Sequence, residues 1–224
     1  MRDLLDRLLD IFTLLFTRVD DVFGPLNAWL EARGTTLPEL LGFTTGVLNV
    51  WLTVRERLWA WPIGIVNALF YLVVFARAGL YSDTGLQLVY LALSVYGWWH
   101  WARGGPHAST LTITRVPRAE AVRVLSGALM AWLMLWQLTQ RLPGARLALF
   151  DAALVAGSLA AQWLMTRKYV ECWWLWLIVN TGYVAVFLAR GLRLTAVLYA
   201  IYWGLAALGA LRWHRTWRSA PASA

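Results

Sequence analysis

The chain has 224 residues, of which 60% are hydrophobic and 14% charged, and sixteen are tryptophan. Soluble domains average roughly 45–50% apolar and about 25% charged residues, so disorder, a disulfide scaffold and an ordinary soluble enzyme are disfavoured. A polytopic membrane protein is the class that remains. The net charge of +8 is carried by short basic clusters between apolar runs, the pattern of loops held at a membrane face, not of a nucleic-acid surface. Cys172 is the only cysteine, and His100, His107 and His214 have no ligand spacing. No metal site and no cofactor are therefore expected.

In chain order, Asp3, Asp6, Arg7, Asp10, Arg18 and Asp21 recur at helical spacing among Leu and Phe residues. That predicts an amphipathic helix lying in the membrane interface and ending at Gly24–Pro25. The unbroken apolar run of a signal peptide is missing after Arg2. Seven apolar stretches follow, at about 37–54, 58–76, 84–101, 121–138, 146–165, 170–189 and 194–211. Each is long enough to cross a hydrocarbon core of about 30 Å. Pro117 and Glu120 read as a helix start. The expected organisation is an N-terminal helix and lead-in (1–36), a three-helix bundle (37–101), a link with a fourth helix (102–145), a second bundle (146–213) and a cytoplasmic tail (214–224).

The links on one side carry eleven Lys and Arg residues. The other side carries nine, or six once Arg2, Arg7 and Arg18 of the amphipathic helix are set aside. The excess predicts a cytoplasmic C-terminus and an outside N-terminus. Ten tryptophans lie near the positive side (51, 59, 61, 98, 99, 101, 173, 174, 213 and 217). For most of them an interfacial belt is the expected role.

An internal repeat is legible. Trp51 and Arg55 match Trp163 and Arg167 at an offset of 112, Asn67 matches Asn180 at 113, and Tyr90, Gly97 and Trp101 match Tyr202, Gly209 and Trp213 at 112. Two parallel three-helix units joined by a linker helix would follow, a SWEET-like 3+1+3 plan of seven transmembrane helices.

Polar residues inside spans are costly, so they mark candidate sites. Asn67 and Tyr71 fall on span 2; Trp173, Trp176, Asn180 and Tyr183 share a face of span 6. Gln87, Tyr90 and Ser94 line span 3, Gln162 is on span 5, Gln137 on span 4, Tyr199 and Tyr202 on span 7, and Thr45 and Asn49 on span 1. Helix–helix hydrogen bonding explains any one of them equally well. The symmetric midplane pair Asn67 and Asn180 favours a binding site, with aromatic faces for a flat ring, to which a positive charge on the ring would add cation–π attraction. No ionisable residue sits at a span centre; Asp83, Glu120 and Glu171 lie at span starts, where capping is expected, and Asp151 about a turn and a half into span 5. Passive facilitation is thus expected over ion coupling. No paired aspartates or Ser–His arrangement suggests an enzyme.

The segment WPIGIVNALFYLVVFARAGLYSDTGLQLVYLALSVYGWWHW, with RKYVECWWLWLIVN in the second half, resembles the hallmark segments of the PnuC family of vitamin transporters. The resemblance implies facilitated uptake of nicotinamide riboside, or of thiamine or another B-vitamin precursor. It also implies the bacterial inner membrane, a homotrimer, and trapping of the product by a cytoplasmic kinase. The family's motif residues fall here on Trp61, Asn67, Gln87, Tyr90, Trp173, Trp176 and Asn180.

Overall fold

The computed structural model describes residues 37–77, 81–105, 109–140, 148–189, 191 and 193–219, with a few isolated positions before 37. The amphipathic segment expected over residues 1–23 lies outside the described residues. The described helices are α1 (Leu37–Val54), α2 (Ala60–Arg77), α3 (Tyr81–Arg103), α4 (Arg118–Thr139), α5 (Ala148–Thr166), α6 (Cys172–Ala189) and α7 (Arg193–Ser219). Each covers one of the seven apolar stretches. An 18-residue helix such as α1 rises about 27 Å, close to a hydrocarbon thickness. Four segments are long and apolar enough to cross a membrane: Arg118–Thr139, Leu149–Thr166, Cys172–Ala189 and Thr195–Ser219. Leu40–Val54 and Ala60–Leu72 are shorter apolar helices. The last helix runs on past 211 to Ser219 because Trp213, fully buried, and Trp217 keep packing against the core.

Packing closes a ring. α1 contacts α2, α2 contacts α3, α3 contacts α5, α5 contacts α6, α6 contacts α7, and α7 returns to α1. α2 and α6 thus face each other across the ring. α4 lies outside it against α5, with no buried residue of its own. Hydroxyls on these apolar helices bond back along their own helix, as Thr53 to Asn49 O, Thr166 to Trp163 O and Thr181 to Leu177 O, which satisfies them without water.

At the end of the ring rich in basic residues, four indoles form the densest part of the core. Trp61 and Trp101 meet edge-to-face at 5.2 Å and 86°, and Trp173 and Trp213 at 5.2 Å and 88°. Trp101 and Trp213 join the two pairs at 5.7 Å. None of the four is more than 4% exposed. They are therefore core residues, which corrects the expectation of an interfacial belt; Trp51, Trp59, Trp98, Trp99 and Trp174 are exposed as a belt requires. Glycine makes the packing possible. A Cβ at Gly97 would strike the Trp61 ring, and one at Gly209 the Trp173 ring.

The described part of the following link, residues 109–117, lies across this same end. Thr114 bridges to Lys168 and Val170 through backbone bonds of 3.2 and 3.0 Å. The Glu171 carboxylate accepts from Arg115 Nε (2.9 Å) and the Val116 amide (3.0 Å). Glu120 accepts from Trp163 Nε1 (3.0 Å) and pairs with Arg123 (2.9 Å). Both carboxylates reach across elements instead of capping their own helices, because indole and guanidinium donors lie opposite them. Asp151 falls in the first turn of α5, nearer the helix end than the sequence suggested.

Candidate functional site

The two amides sit part-way along the opposed helices. Asn67 is six residues beyond Trp61 on α2, and Asn180 seven beyond Trp173 on α6, so both lie about 9–11 Å from the indole layer. Asn67 is held by α1: its Nδ2 donates to Gly42 O (2.8 Å) and to Thr45 Oγ1 (2.9 Å). Asn180 is only 3% exposed and makes no hydrogen bond among the described residues. An amide with its donor and acceptor free, on a residue otherwise enclosed by the ring, marks a candidate ligand position.

Tyrosines converge beside the amides. Tyr199 lies 4.8 Å from Tyr183 and 5.5 Å from Tyr202, ring centre to ring centre, and Phe187 completes the cluster at 5.1 Å. The Tyr202 hydroxyl rests on Gly46 of α1, near Asn67 Nδ2, where any side chain at 46 would collide with it. Tyr90 reaches α5 instead, with its hydroxyl 2.6 Å from Ser158 Oγ. Ser158 donates its own proton to Val155 O at 2.8 Å, so Tyr90 is the donor in that pair. These contacts span both α7·α1 and α3·α5, the two seams between the halves of the ring.

Tyr71 and Tyr202 thus adjoin the part of α1 that holds Asn67, at Gly42 and Gly46, while Tyr90 lies at the α3·α5 seam and Asn180 on α6, across the ring order from α2. Gln87 and Gln162 are half-buried on α3 and α5, with no side-chain hydrogen bond among the described residues. The Trp176 Nε1 is buried and likewise without a partner there. Trp61 and Trp173 stand apart, their faces and edges taken up by Trp101, Trp213 and the two glycines. Ser158 and Gly46 were not among the expected site residues. Their one signal in the sequence is that they are 112 apart, the repeat offset. A cleft of about 390 Å³ lies elsewhere, between α4 and α5, lined by Glu120, Arg123, Trp163 and Arg167 among others.

An enclosing ring of apolar helices with amides and aromatics inside, and few charges, is the architecture of a multi-pass membrane carrier of small molecules. Comparison with known proteins gives the family. The model of the nicotinamide mononucleotide transporter family matches residues 36–215, and the chain belongs to that family, which includes PnuC. Among its relatives, the nicotinamide riboside transporter PnuC of Escherichia coli is 26% identical over 211 residues, covering 83% of this chain and 85% of the relative. The riboflavin/roseoflavin transporter RibM of Streptomyces davaonensis is 26% identical over 195 residues, covering 83% and 91%. The crystal structure of a vitamin B3 transporter PnuC superposes with a TM-score of 0.66 at 19% identity, over 94% of this chain and 92% of that one, a likeness of fold.

Proposed function

We propose that this protein is a facilitator of nicotinamide riboside uptake, binding its substrate between α2 and α6. The observation that carries the reading is the Asn180 amide, on a residue only 3% exposed and with no hydrogen bond among the described residues, on the helix that stands across the ring order from that of Asn67. Asn67 and Asn180 bond the carboxamide or sugar hydroxyls; Tyr90, Trp176 and Tyr202 offer faces to the flat cationic ring. Gln87, Gln162 and Tyr71 line the path. Riboflavin is the second reading, favoured by the RibM relative at the same identity; thiamine is the third substrate to test.

The ring is read as two three-helix units, α1–α3 and α5–α7, related by an axis along the membrane normal, with α4 as linker and seven spans in all. Several pairs at the repeat offset support this. The two edge-to-face indole pairs have the same geometry. Arg55 lies 4.3 Å over Trp51, and Arg167 5.1 Å over Trp163. Transport is then rocking of the units about the amides. The basic end faces the cytoplasm of a bacterial cell, with the N-terminus outside. No Asp, Glu, Lys, Arg or His lies mid-helix among the described residues, which favours facilitation with trapping by a cytoplasmic kinase over proton coupling. The protein is read as a carrier and not an enzyme, and as a homotrimer, for which the exposed apolar face of α4 (Leu125, Leu129, Met130 and Met134) is the available surface.

Uptake of labelled nicotinamide riboside, riboflavin and thiamine into proteoliposomes tests the reading. Saturable uptake of nicotinamide riboside, unchanged by a pH gradient, is expected. Asn180→Leu abolishes it while the protein assembles normally. Absence of saturable uptake for all three vitamins ends the carrier reading, and uptake that collapses without the gradient ends facilitation.

A further inference from the structure

The two amides are not chemically equal. Both N–H bonds of Asn67 are used, one on Gly42 O at 2.8 Å and one on Thr45 Oγ1 at 2.9 Å. Its orientation is fixed, because a backbone carbonyl only accepts and the Thr45 proton is given to Leu41 O at 2.6 Å. What Asn67 can offer a ligand is Oδ1, an acceptor. At the repeat offset of 112, Thr45 corresponds to Gly157 and Gly42 to Leu154. The second half therefore has no hydroxyl at the equivalent place, and Asn180, 3% exposed, keeps both its donor and its acceptor.

We propose that the site reads an adjacent donor–acceptor edge, a carboxamide or a cyclic imide, at Asn180 and a hydroxyl or N–H at Asn67, with Thr45 as the positioning residue that holds Asn67 acceptor-outward. The inference rests on the carrier reading and sharpens it. Carboxamide and imide are the same hydrogen-bond pattern from two substrate classes, so the test has an arm for each.

The full chain in proteoliposomes is assayed for uptake, with competitors that keep the charge of the parent vitamin and lack only the N–H donor. These are the riboside of 3-acetylpyridine against nicotinamide riboside, and N3-methylriboflavin against riboflavin. Loss of the donor leaves the Asn180 acceptor unpaired, and the competitor is expected to bind about 10–100-fold more weakly than the parent. Thr45→Val is expected to raise KM about 10-fold with the maximal rate within about 2-fold. Thr45→Ser, which keeps the hydroxyl, restores the wild-type KM. A merely structural Thr45 would instead lower the maximal rate or the melting temperature at unchanged KM. Should Thr45→Val not assemble, the competitor ratio of the wild type decides alone. Competitors within about 3-fold of their parents, or uptake confined to thiamine, overturn the inference while leaving a carrier. No uptake of any vitamin by the wild type overturns the carrier reading itself.

Discussion

Lys168 is the least solvated cation described in the chain, and the consequences of unpairing it follow from its surroundings. Its side chain is 8% exposed and its Nζ lies 3.0 Å from Glu56 Oε2, 2.9 Å from Leu111 O and 4.7 Å from the centre of the Trp101 ring. All three neighbours favour positive charge. Glu56→Gln leaves the two neutral partners and an amide oxygen but removes the counter-charge. Breaking a buried pair from one side costs roughly 3–5 kcal/mol. Glu56 is itself 26% exposed and water reaches that side, so the low end applies, about 3 kcal/mol. For a chain of this size that is a fall in melting temperature of about 6–12 °C, read by tryptophan fluorescence on protein in detergent. Lys168→Met should cost less, since Glu56 can turn to water. The exchange Glu56→Lys with Lys168→Glu restores the ion pair but sets a carboxylate against the Leu111 carbonyl and the face of Trp101, so it stays well below wild type. A Glu56→Gln melting temperature within about 2 °C of wild type, or full recovery in the exchange, would refute this account of the cation's site.

Gly209→Ala puts a methyl group 2.5 Å from the Trp173 ring and should cost about 1–3 kcal/mol by overpacking. Gly204→Ala, on the same helix with nothing within 4 Å, should be neutral or stabilising by up to about 1 kcal/mol; equal melting temperatures for the two would mean that Trp173 can swing aside. Trp101→Phe keeps an aromatic ring but loses the bond from Nε1 to Met165 O (3.0 Å) and part of the attraction to Lys168, a loss of about 1–2 kcal/mol seen in the same assay. Ser158→Ala leaves the Tyr90 hydroxyl without its acceptor and should destabilise by about 1–2 kcal/mol.

Much of this was legible in the residues. The apolar stretches match every helix to within a few residues, apart from the C-terminal extension of α7. Asn67 and Asn180 stood out because an amide in an apolar helix is expensive wherever it faces. Trp61 and Trp173 were harder. An indole near the end of an apolar stretch reads as an interfacial anchor or a ligand face, and what makes these two core residues is a glycine on the neighbouring helix, Gly97 or Gly209. That requires knowing which helices adjoin. Glu171 and Glu120 read as caps for a similar reason, since their partners Arg115 and Trp163 are 56 and 43 residues away. Ser158 gave no polarity signal beyond one hydroxyl. Thr45 was visible as a polar residue, but its effect on the amide depends on the fixed direction of its proton.

The ion pair Glu56–Lys168 escapes a search for matching residues because its members have opposite charge, yet the two share one local backbone geometry. Both follow a helix in the left-handed region, at φ 56°. Glu56 N bonds Thr53 O and Arg57 N bonds Leu52 O, while Lys168 N bonds Met165 O and Tyr169 N bonds Leu164 O, the same Schellman closure 112 residues apart. On the two-repeat reading, equivalent residues that touch lie on the axis, and an identical charged pair there would face itself. Opposite charges are the way two copies can carry ions at that position and still attract. The sign of each residue is then set by its own half: only Lys168 has the Leu111 carbonyl and the Trp101 face. Glu56→Lys places two cations about 4 Å apart, a repulsion of about 1–4 kcal/mol between effective dielectrics of about 80 and 20, added to the cost of losing the counter-charge. It should therefore melt below Glu56→Gln, by an amount that shrinks as salt is raised. If the two variants melt together, the partners separate freely when unpaired, and the end of the ring is not held in register by this contact.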